Sequence, residues 1–556
     1  MINKAIKLKA ILALWGMLLI FSTNAQYRRD SQSQIGRLPE AERLDNKPES
    51  LEWLKDAGFG MFVHWGVDCQ LGSVISHSLV GASDDYVEKY FDELPKTFNP
   101  KKYNPEDWII LAKLAGMKYV VFTTKHHSGF CMWDTKTTDF NIMNTPYGKD
   151  IVAPYVEACR KHGLKVGLYF SPEDFSFLHL NGDMISRSTP EANPINNKKF
   201  IAYDKAQIRE LMTKYGKIDV LFFDGRGSGP LKELCWQINP DLLVTRGAIN
   251  TPEQAVLGTV SDQPWEACVT MGTQWQYKAN ETYKSATRLI EILIETRAKG
   301  GSLLLNVGPK PDGELPIEQE ERLREFALWN FLNHEAIEGV RPWILPNEGN
   351  IWYTRKDSAI YTYITGLGIW PRGDRKSFIL GSVRANKNTK LEVLGQSGKH
   401  IEGRPLDFDI DAKWSQETDG LHISVVRAYR AHNDNRYYNP VVVKISNAEP
   451  ALIPPLFSTQ NVDALLDGKA LLQGKLEDIG DAKSVEAGFQ YRISPLYGDE
   501  LYVDDWMNTK FIKITEAGVF NSEVTGLQKG KAYQYRTVVK HPLVKLYGDI
   551  KRFNSK

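Results

Sequence analysis

Cysteine is scarce: five in 556 residues, at Cys69, Cys131, Cys159, Cys235 and Cys268. An odd number with no Cys-x-x-Cys pair excludes a disulfide framework and gives no support to a structural zinc or dithiol redox site. Buried free thiols are the reading left. Charge of one sign is also lacking. Lys+Arg 69 against Asp+Glu 68 leaves +1, which removes the electrostatic basis for binding nucleic acid or an anionic membrane. No apolar run reaches the ~18 residues that a membrane span needs. There is no basic tail and no low-complexity tract. What is present is ordinary for a globular protein, with 42% hydrophobic and 25% charged residues.

The start of the chain reads as a secretory signal peptide over residues 1–25. Lys4, Lys7 and Lys9 form a basic region, an apolar stretch follows over 10–21, and cleavage is expected after Ala25. Export to the periplasm or the exterior follows from that reading. From about 40 to 340, short apolar runs alternate with amphipathic helical patterns. Strands are expected at 58–65, 118–125, 165–171, 219–224, 242–246, 265–270 and 302–308, with 256–260 as an eighth. Continuous runs such as Tyr119-Val-Val-Phe122 suit strands covered on both faces of a parallel sheet. About eight of them over some 300 residues predict an α/β fold, a (β/α)8-type (TIM-like) barrel over 26–345. An open doubly wound sheet would carry a Gly-rich phosphate turn after its first strand, whereas here that strand ends in His64-Trp65-Gly66. Beyond Pro346 the helical period gives way to alternating runs and turns. Two β-sandwich domains are expected, over 346–449 and 450–556, with a linker rich in proline between them.

Polar residues sit where the apolar runs end: His64, His126-His127, Glu173-Asp174, Asp224, Arg246, Glu266 and Asn306. A β/α barrel builds its active site at the C-terminal ends of its strands. Asp224 follows Val220-Leu-Phe-Phe223 at the expected mouth. Glu266 lies beside Trp265, and a carboxyl next to an indole tends to stay protonated. One ionised and one protonated carboxyl is the pairing that glycoside hydrolysis uses. Glu253 and Asp262 are the nearby alternative acids. The three histidines could bind a metal. Adjacent strand residues point to opposite faces, however, so His126 and His127 are not expected to chelate together, and no His-x-His pair supports an ion. No metal or cofactor is expected. Trp65, Phe130, Trp133 and Trp275 could offer faces on which a sugar ring packs.

These stretches together resemble the α-L-fucosidases of glycoside hydrolase family 29, over about residues 50–340. The resemblance rests on Phe59-Gly-Met-Phe-Val-His-Trp-Gly66, Lys125-His-His-Ser-Gly-Phe-Cys-Met-Trp-Asp134, Asp219-Val-Leu-Phe-Phe-Asp-Gly225, Trp265-Glu-Ala-Cys268 and the Gly301–Gly313 segment. It implies a retaining exo-α-L-fucosidase that acts on fucosylated oligosaccharides or glycoprotein glycans. Asp224 would be nucleophile and Glu266 acid/base, with His64, Trp65, His126, His127, Tyr169, Arg246 and Trp275 binding substrate or lining its pocket. The alternatives are a related glycosidase with another sugar specificity, a glycan-binding barrel without activity, and a metal-dependent hydrolase. The chain departs from the family at Phe222, usually tryptophan, at Ser128, usually aspartate, and at Ala82-Ser-Asp-Asp-Tyr86, where an acidic-Trp-Tyr segment is usual. The stretch Val524-Thr-Gly-Leu-Gln-Lys-Gly-Lys-Ala-Tyr-Gln-Tyr-Arg536 resembles the end of a fibronectin type III domain.

Overall fold

Seven parallel strands form one sheet: β1 Phe59–Val63, β2 Tyr119–Lys125, β3 Lys165–Phe170, β4 Val220–Phe223, β5 Leu243–Val244, β6 Glu266–Thr270 and β7 Ser302–Val307. They lie in the order β5-β4-β3-β2-β1-β7-β6. This is a computed structural model. It describes residues 45–555, apart from 369, 372, 397–399, 401–403, 428–437, 463, 467 and 495–504. The signal peptide expected at 1–25 lies outside these residues. No described helix is long and apolar enough to cross a membrane.

Burial on both faces explains the continuous apolar runs. One face of each strand meets the surrounding helices. The other fills the barrel, where Leu54, Phe62, Tyr119, Val121, Tyr169, Val220, Phe222, Cys268 and Leu304 pack together. Gly60 makes room for the Tyr119 ring, since a Cβ there would lie 2.5 Å from it.

The eighth strand is not where apolar content predicts it. Residues 256–260 form no strand, although Val256 and Leu257 pack against the core. The seam between β5 and β6 is closed instead by the irregular stretch 249–254, through parallel bridges Arg246↔Ile249, Asn250↔Trp265 and Glu253↔Cys268. Backbone bonds from Glu266 N to Asn250 O (3.0 Å), from Cys268 N to Pro252 O (3.0 Å) and from Gln254 N to Cys268 O (2.9 Å) hold it. Pro252 has no N–H, so this segment cannot make a full ladder.

After the barrel, a five-stranded sheet takes its first strand from Arg341–Glu348, which straddles the expected boundary at 345. It shares a core with the three-stranded sheet of Arg375–Leu380, Lys413–Glu417 and Gly420–Val426. Its other face packs on the barrel, where Trp329 Nε1 donates to Pro440 O (2.8 Å). The stretch read as a linker is structured. Glu449–Pro450 pairs with Val383–Arg384, and Leu452 is buried with Leu345, Val544 and Leu546. Residues 456–555 form two further antiparallel sheets around their own core. This last unit also reaches the barrel: a Cβ on Gly258 would lie 2.5 Å from Asp549 Oδ1.

Candidate active site

Asp224 follows β4 at the barrel mouth and faces inward, two residues beyond Phe222. Tyr169, on the neighbouring β3, donates its hydroxyl to Asp224 Oδ2 (2.9 Å). Arg246, just past β5, donates Nη1 to Asp224 Oδ1 (3.1 Å) and stacks its guanidinium over Phe222 at 4.8 Å. The same Nη1 donates to Glu253 Oε2 at 3.1 Å, and Nη2 reaches that oxygen at 3.2 Å. One guanidinium therefore joins two carboxylates. Burial pushes the Asp224 pKa up, but the charges of Arg246 and Arg187 and the Tyr169 hydrogen bond outweigh it and hold the carboxyl well below its usual range. Asp224 is ionised at neutral pH.

His64, His126 and His127 converge on this carboxylate. The pairing of β2 with β3 slips between Thr123 and Lys125, and β2 ends at Lys125. His126 and His127 therefore lie beyond regular strand geometry. Their rings are 4.4 Å apart and both line the pocket, which corrects the expectation that they face opposite ways. His126 stacks on Tyr169 at 5.4 Å. His127 Nδ1 is 2.6 Å from Ser171 Oγ, whose own hydrogen goes to Glu173 O. The ring nitrogen is thus the donor, and a neutral ring leaves Nε2 as acceptor, buried and without a partner 3.7 Å from Asp224 Oδ2. Burial lowers all three pKa values, that of His64 to about 3. Trp275 closes the wall, with its ring 4.8 Å from His64. Asn306 bridges the two, with Oδ1 2.6 Å from His64 Nδ1 and Nδ2 donating to the Trp275 carbonyl.

His126, His127 and Asp224 offer ligand atoms within 4.8 Å of one another. Asp224 already accepts from Tyr169 and Arg246, and the charges of Arg246 and Arg187 act on the same spot. A cation would meet two guanidiniums there, whereas a sugar hydroxyl would meet a vacant acceptor.

Four expected residues are elsewhere. Trp65 follows His64 and so faces the helices, packed edge-on or tilted against Phe98, Tyr103 and Trp108. Phe130 and Trp133 are likewise core. Glu266 is the first residue of β6, at the N-terminal end of the barrel. Its Oε1 accepts from Tyr119, the first residue of β2, while the histidines follow the far end of that strand. β2 is seven residues long, roughly 20 Å. On β6 the inward residues run Glu266, Cys268, Thr270, and Cys268 already touches Arg246 from below (Nη2–Sγ 3.3 Å). Trp265 points outward into the core of the helix layer, so the indole is not the carboxyl's neighbour. The alternation that points Asp224 inward also points Glu266 inward, but at the closed end.

Burial raises the Glu266 pKa from 4.5 to about 7. The folded state therefore holds this proton more tightly than the unfolded state. The stability it contributes is full below pH 4.5 and is lost as pH rises through 7. Glu266→Gln has no such proton. Its stability relative to wild type should improve between pH 4.5 and 7, by at most about 3 kcal/mol, read from urea unfolding at pH 5 and 8. A constant difference across that range would show that Glu266 does not titrate there.

Sequence reasoning missed His77 and Arg187. Both lie on loops after barrel strands and belong to no motif; their position beyond β1 and β3 is the only signal. The His77 ring is 5.3 Å from His127, and burial lowers its pKa to about 4.

The sequence and the fold have counterparts in known proteins. The chain is 28% identical to the tissue α-L-fucosidase of Rattus norvegicus over 440 residues, 71% of this chain and 91% of that one. It is 30% identical to the rat plasma α-L-fucosidase over 415 residues, 66% of this chain and 87% of that one. Among solved structures, α-L-fucosidase isoenzyme 1 from Paenibacillus thiaminolyticus superposes with a TM-score of 0.58 at 27% identity, covering 72% of this chain and 99% of that one. The Thermotoga maritima α-fucosidase in complex with a mechanism-based inhibitor gives 0.57 at 27%, covering 73% and 100%. Residues 25–335, more than half of the chain, match the family model described as Alpha-L-fucosidase, and the chain belongs to the α-L-fucosidase family.

Proposed function

We propose that this protein is a retaining exo-α-L-fucosidase that removes terminal α-L-fucose from oligosaccharides or glycoprotein glycans, with Asp224 as nucleophile and Glu253 as acid/base. The carrying observation is the shared guanidinium. Asp224 Oδ1 and Glu253 Oε2 each lie 3.1 Å from Arg246 Nη1 and so cannot be farther apart than twice that, 6.2 Å. Retention uses carboxyls ~5–5.5 Å apart, a spacing that fits within this bound on the two oxygens.

In the first step an Asp224 oxygen attacks the anomeric carbon as its bond to the glycosidic oxygen breaks, and that oxygen takes a proton from Glu253, which enters this step as the carboxylic acid while Arg246 stays paired with Asp224 and Thr251. A covalent fucosyl ester results. In the second step Glu253 takes a proton from water, the water oxygen bonds to the anomeric carbon, and the Asp224 ester bond breaks. The neutral imidazoles of His64, His126 and His127 accept or donate to sugar hydroxyls, and Trp275 packs on the ring's apolar face.

The chain is read as exported after removal of residues 1–25. The last unit is read as fibronectin type III-like. Its two sheets share one core, and the hydroxyl of Tyr533, at the start of Ala532–Lys540, accepts from Gln528 N (2.9 Å) in the manner of a tyrosine corner. The test is hydrolysis of an aryl α-L-fucoside against other aryl glycosides, with proton NMR of the first product. The α-anomer of fucose should appear first; initial release of the β-anomer would overturn retention.

A further inference from the structure

The loop after β3 brings an arginine to the barrel mouth whose orientation is fixed from beneath. Glu173 is 1% exposed, yet its carboxylate serves two arginines. Oε2 accepts from Arg187 Nε (2.5 Å), and Oε1 accepts from Arg226 Nε (3.0 Å) and Arg226 N (3.3 Å). Arg226 Nη2 in turn donates to Thr189 O (3.2 Å), which ties down the loop that carries Arg187. Gly225 makes this possible. Its φ is +126°, and a Cβ there would lie 3.1 Å from the Glu173 carboxyl carbon.

Arg187 uses only Nε in this clamp. Its Nη1 and Nη2 have no acceptor among the described residues, and its side chain is 28% exposed. The Glu173 oxygen that accepts from Arg187 also lies 3.9 Å from His127 Nδ1, so Arg187 Nε is within 6.4 Å of that pocket histidine, and its charge acts on Asp224 and Tyr169 beside it. The pocket is asymmetric in charge. On one flank Arg246 is matched by Asp224 and Glu253. On the other, Arg187 and Arg226 share Glu173 alone. The two flanks meet at Asp224, through Arg246 on Oδ1 and through His127 near Oδ2, whose Nδ1 is 3.9 Å from Glu173. With Glu253 as acid/base the leaving group lies on the Arg246 flank, which leaves Arg187, on the Glu173 flank, to the substituents of the terminal sugar.

A neutral deoxysugar needs no surplus guanidinium. A planar fork with two free N–H edges, held by a buried carboxylate, matches an oxyanion. We propose that Arg187 is a specificity-determining residue that binds a sulfate ester carried on the terminal fucose, so that the preferred substrate is an O-sulfated fucoside.

This rests on the fucosidase reading, and one experiment separates the two. Inhibition of aryl α-L-fucoside hydrolysis by L-fucose and by each of its mono-O-sulfates is measured for wild type, Arg187→Gln and Arg187→Lys. At least one sulfate should bind wild type about 10-fold or more tightly than fucose, the effect of a desolvated charge-assisted pair. That ratio should fall to near one in Arg187→Gln and be intermediate in Arg187→Lys, which keeps the charge but loses the fork. Wild type that binds every sulfate no better than fucose overturns the proposal, as does a preference that survives Arg187→Gln. If Arg187→Gln does not fold, an undiminished ratio in Arg187→Lys does the same. If neither the neutral aryl fucoside nor its sulfated forms are hydrolysed, the fucosidase reading has failed instead, and calorimetric binding of the same sugars still reads Arg187.

Discussion

Asp224→Gly should lower turnover of an aryl α-L-fucoside by on the order of 10⁴-fold or more, the scale on which enzymes lose activity when a covalent nucleophile is removed. The loss should be chemical and not structural. Arg246 keeps Glu253 and Thr251 as acceptors, so only the Tyr169 hydroxyl and His127 lose a neighbour at Asp224. Leaving one buried donor unmade costs about 1–3 kcal/mol, and thermal unfolding should stay cooperative at a modestly lower midpoint. The vacated space lies beneath the anomeric carbon, so added azide should enter it, displace the aryl leaving group and form β-fucosyl azide. That product cannot be turned over by an enzyme without its nucleophile and should accumulate. Residual activity within tenfold of wild type, or rescue that yields the α-azide, would remove Asp224 from the role.

The parts of this site that the sequence discloses are those governed by strand periodicity. Asp224, His64 and Tyr169 lie at or just beyond the mouth ends of buried strands, and alternation alone points them inward. The same rule misplaces Trp65, which alternation turns outward once His64 is inward. Glu266 shows the limit more sharply. An inward carboxyl on a barrel strand reads the same at either end, and only the register of β6 against β7, with Glu266 opposite Ser302, decides between mouth and base. Glu253 sits on a stretch, Asn-Thr-Pro-Glu-Gln, with no apolar period, so nothing in its composition marks it as the piece that closes the barrel. The apolar residues 256–260 draw attention away from it. Arg187 and His77 are loop residues whose position depends on tertiary contacts, Glu173 beneath one and the Ser76 turn before the other. Ser76 itself holds φ +57°, a conformation uncommon for a residue with a side chain, and its Oγ accepts from Ser128 N and meets His126 Nδ1. Ser128 stands where the family resemblance implies an aspartate; its backbone N donates to Ser76 Oγ, and Ser76 N in turn donates to the buried Asp68 carboxylate (2.7 Å), which fixes the loop.

Glu253→Ala and Glu266→Gln should part company by orders of magnitude. If Glu253 protonates the leaving oxygen, its removal should cost a natural fucoside, with its poor leaving group, about 10²–10⁴-fold in kcat/KM. An aryl fucoside with an acidic phenol needs little protonation, so its first step should change far less. Its second step still needs a base for water, so the fucosyl-enzyme should accumulate and a burst of phenol should precede a slow steady state. Azide should speed that steady state, since it attacks without a base. Glu266→Gln keeps an oxygen for the Tyr119 hydroxyl, adds no bulk and leaves the mouth of the barrel untouched. Its kcat/KM on both substrates should stay within about threefold of wild type. The discriminating quantity is the ratio of losses on the two substrates, because a merely structural defect lowers both alike. Were Glu266→Gln to lose the natural fucoside selectively while Glu253→Ala kept it, the acid would have to act from the sealed end of the barrel, and the assignment of Glu253 would be wrong.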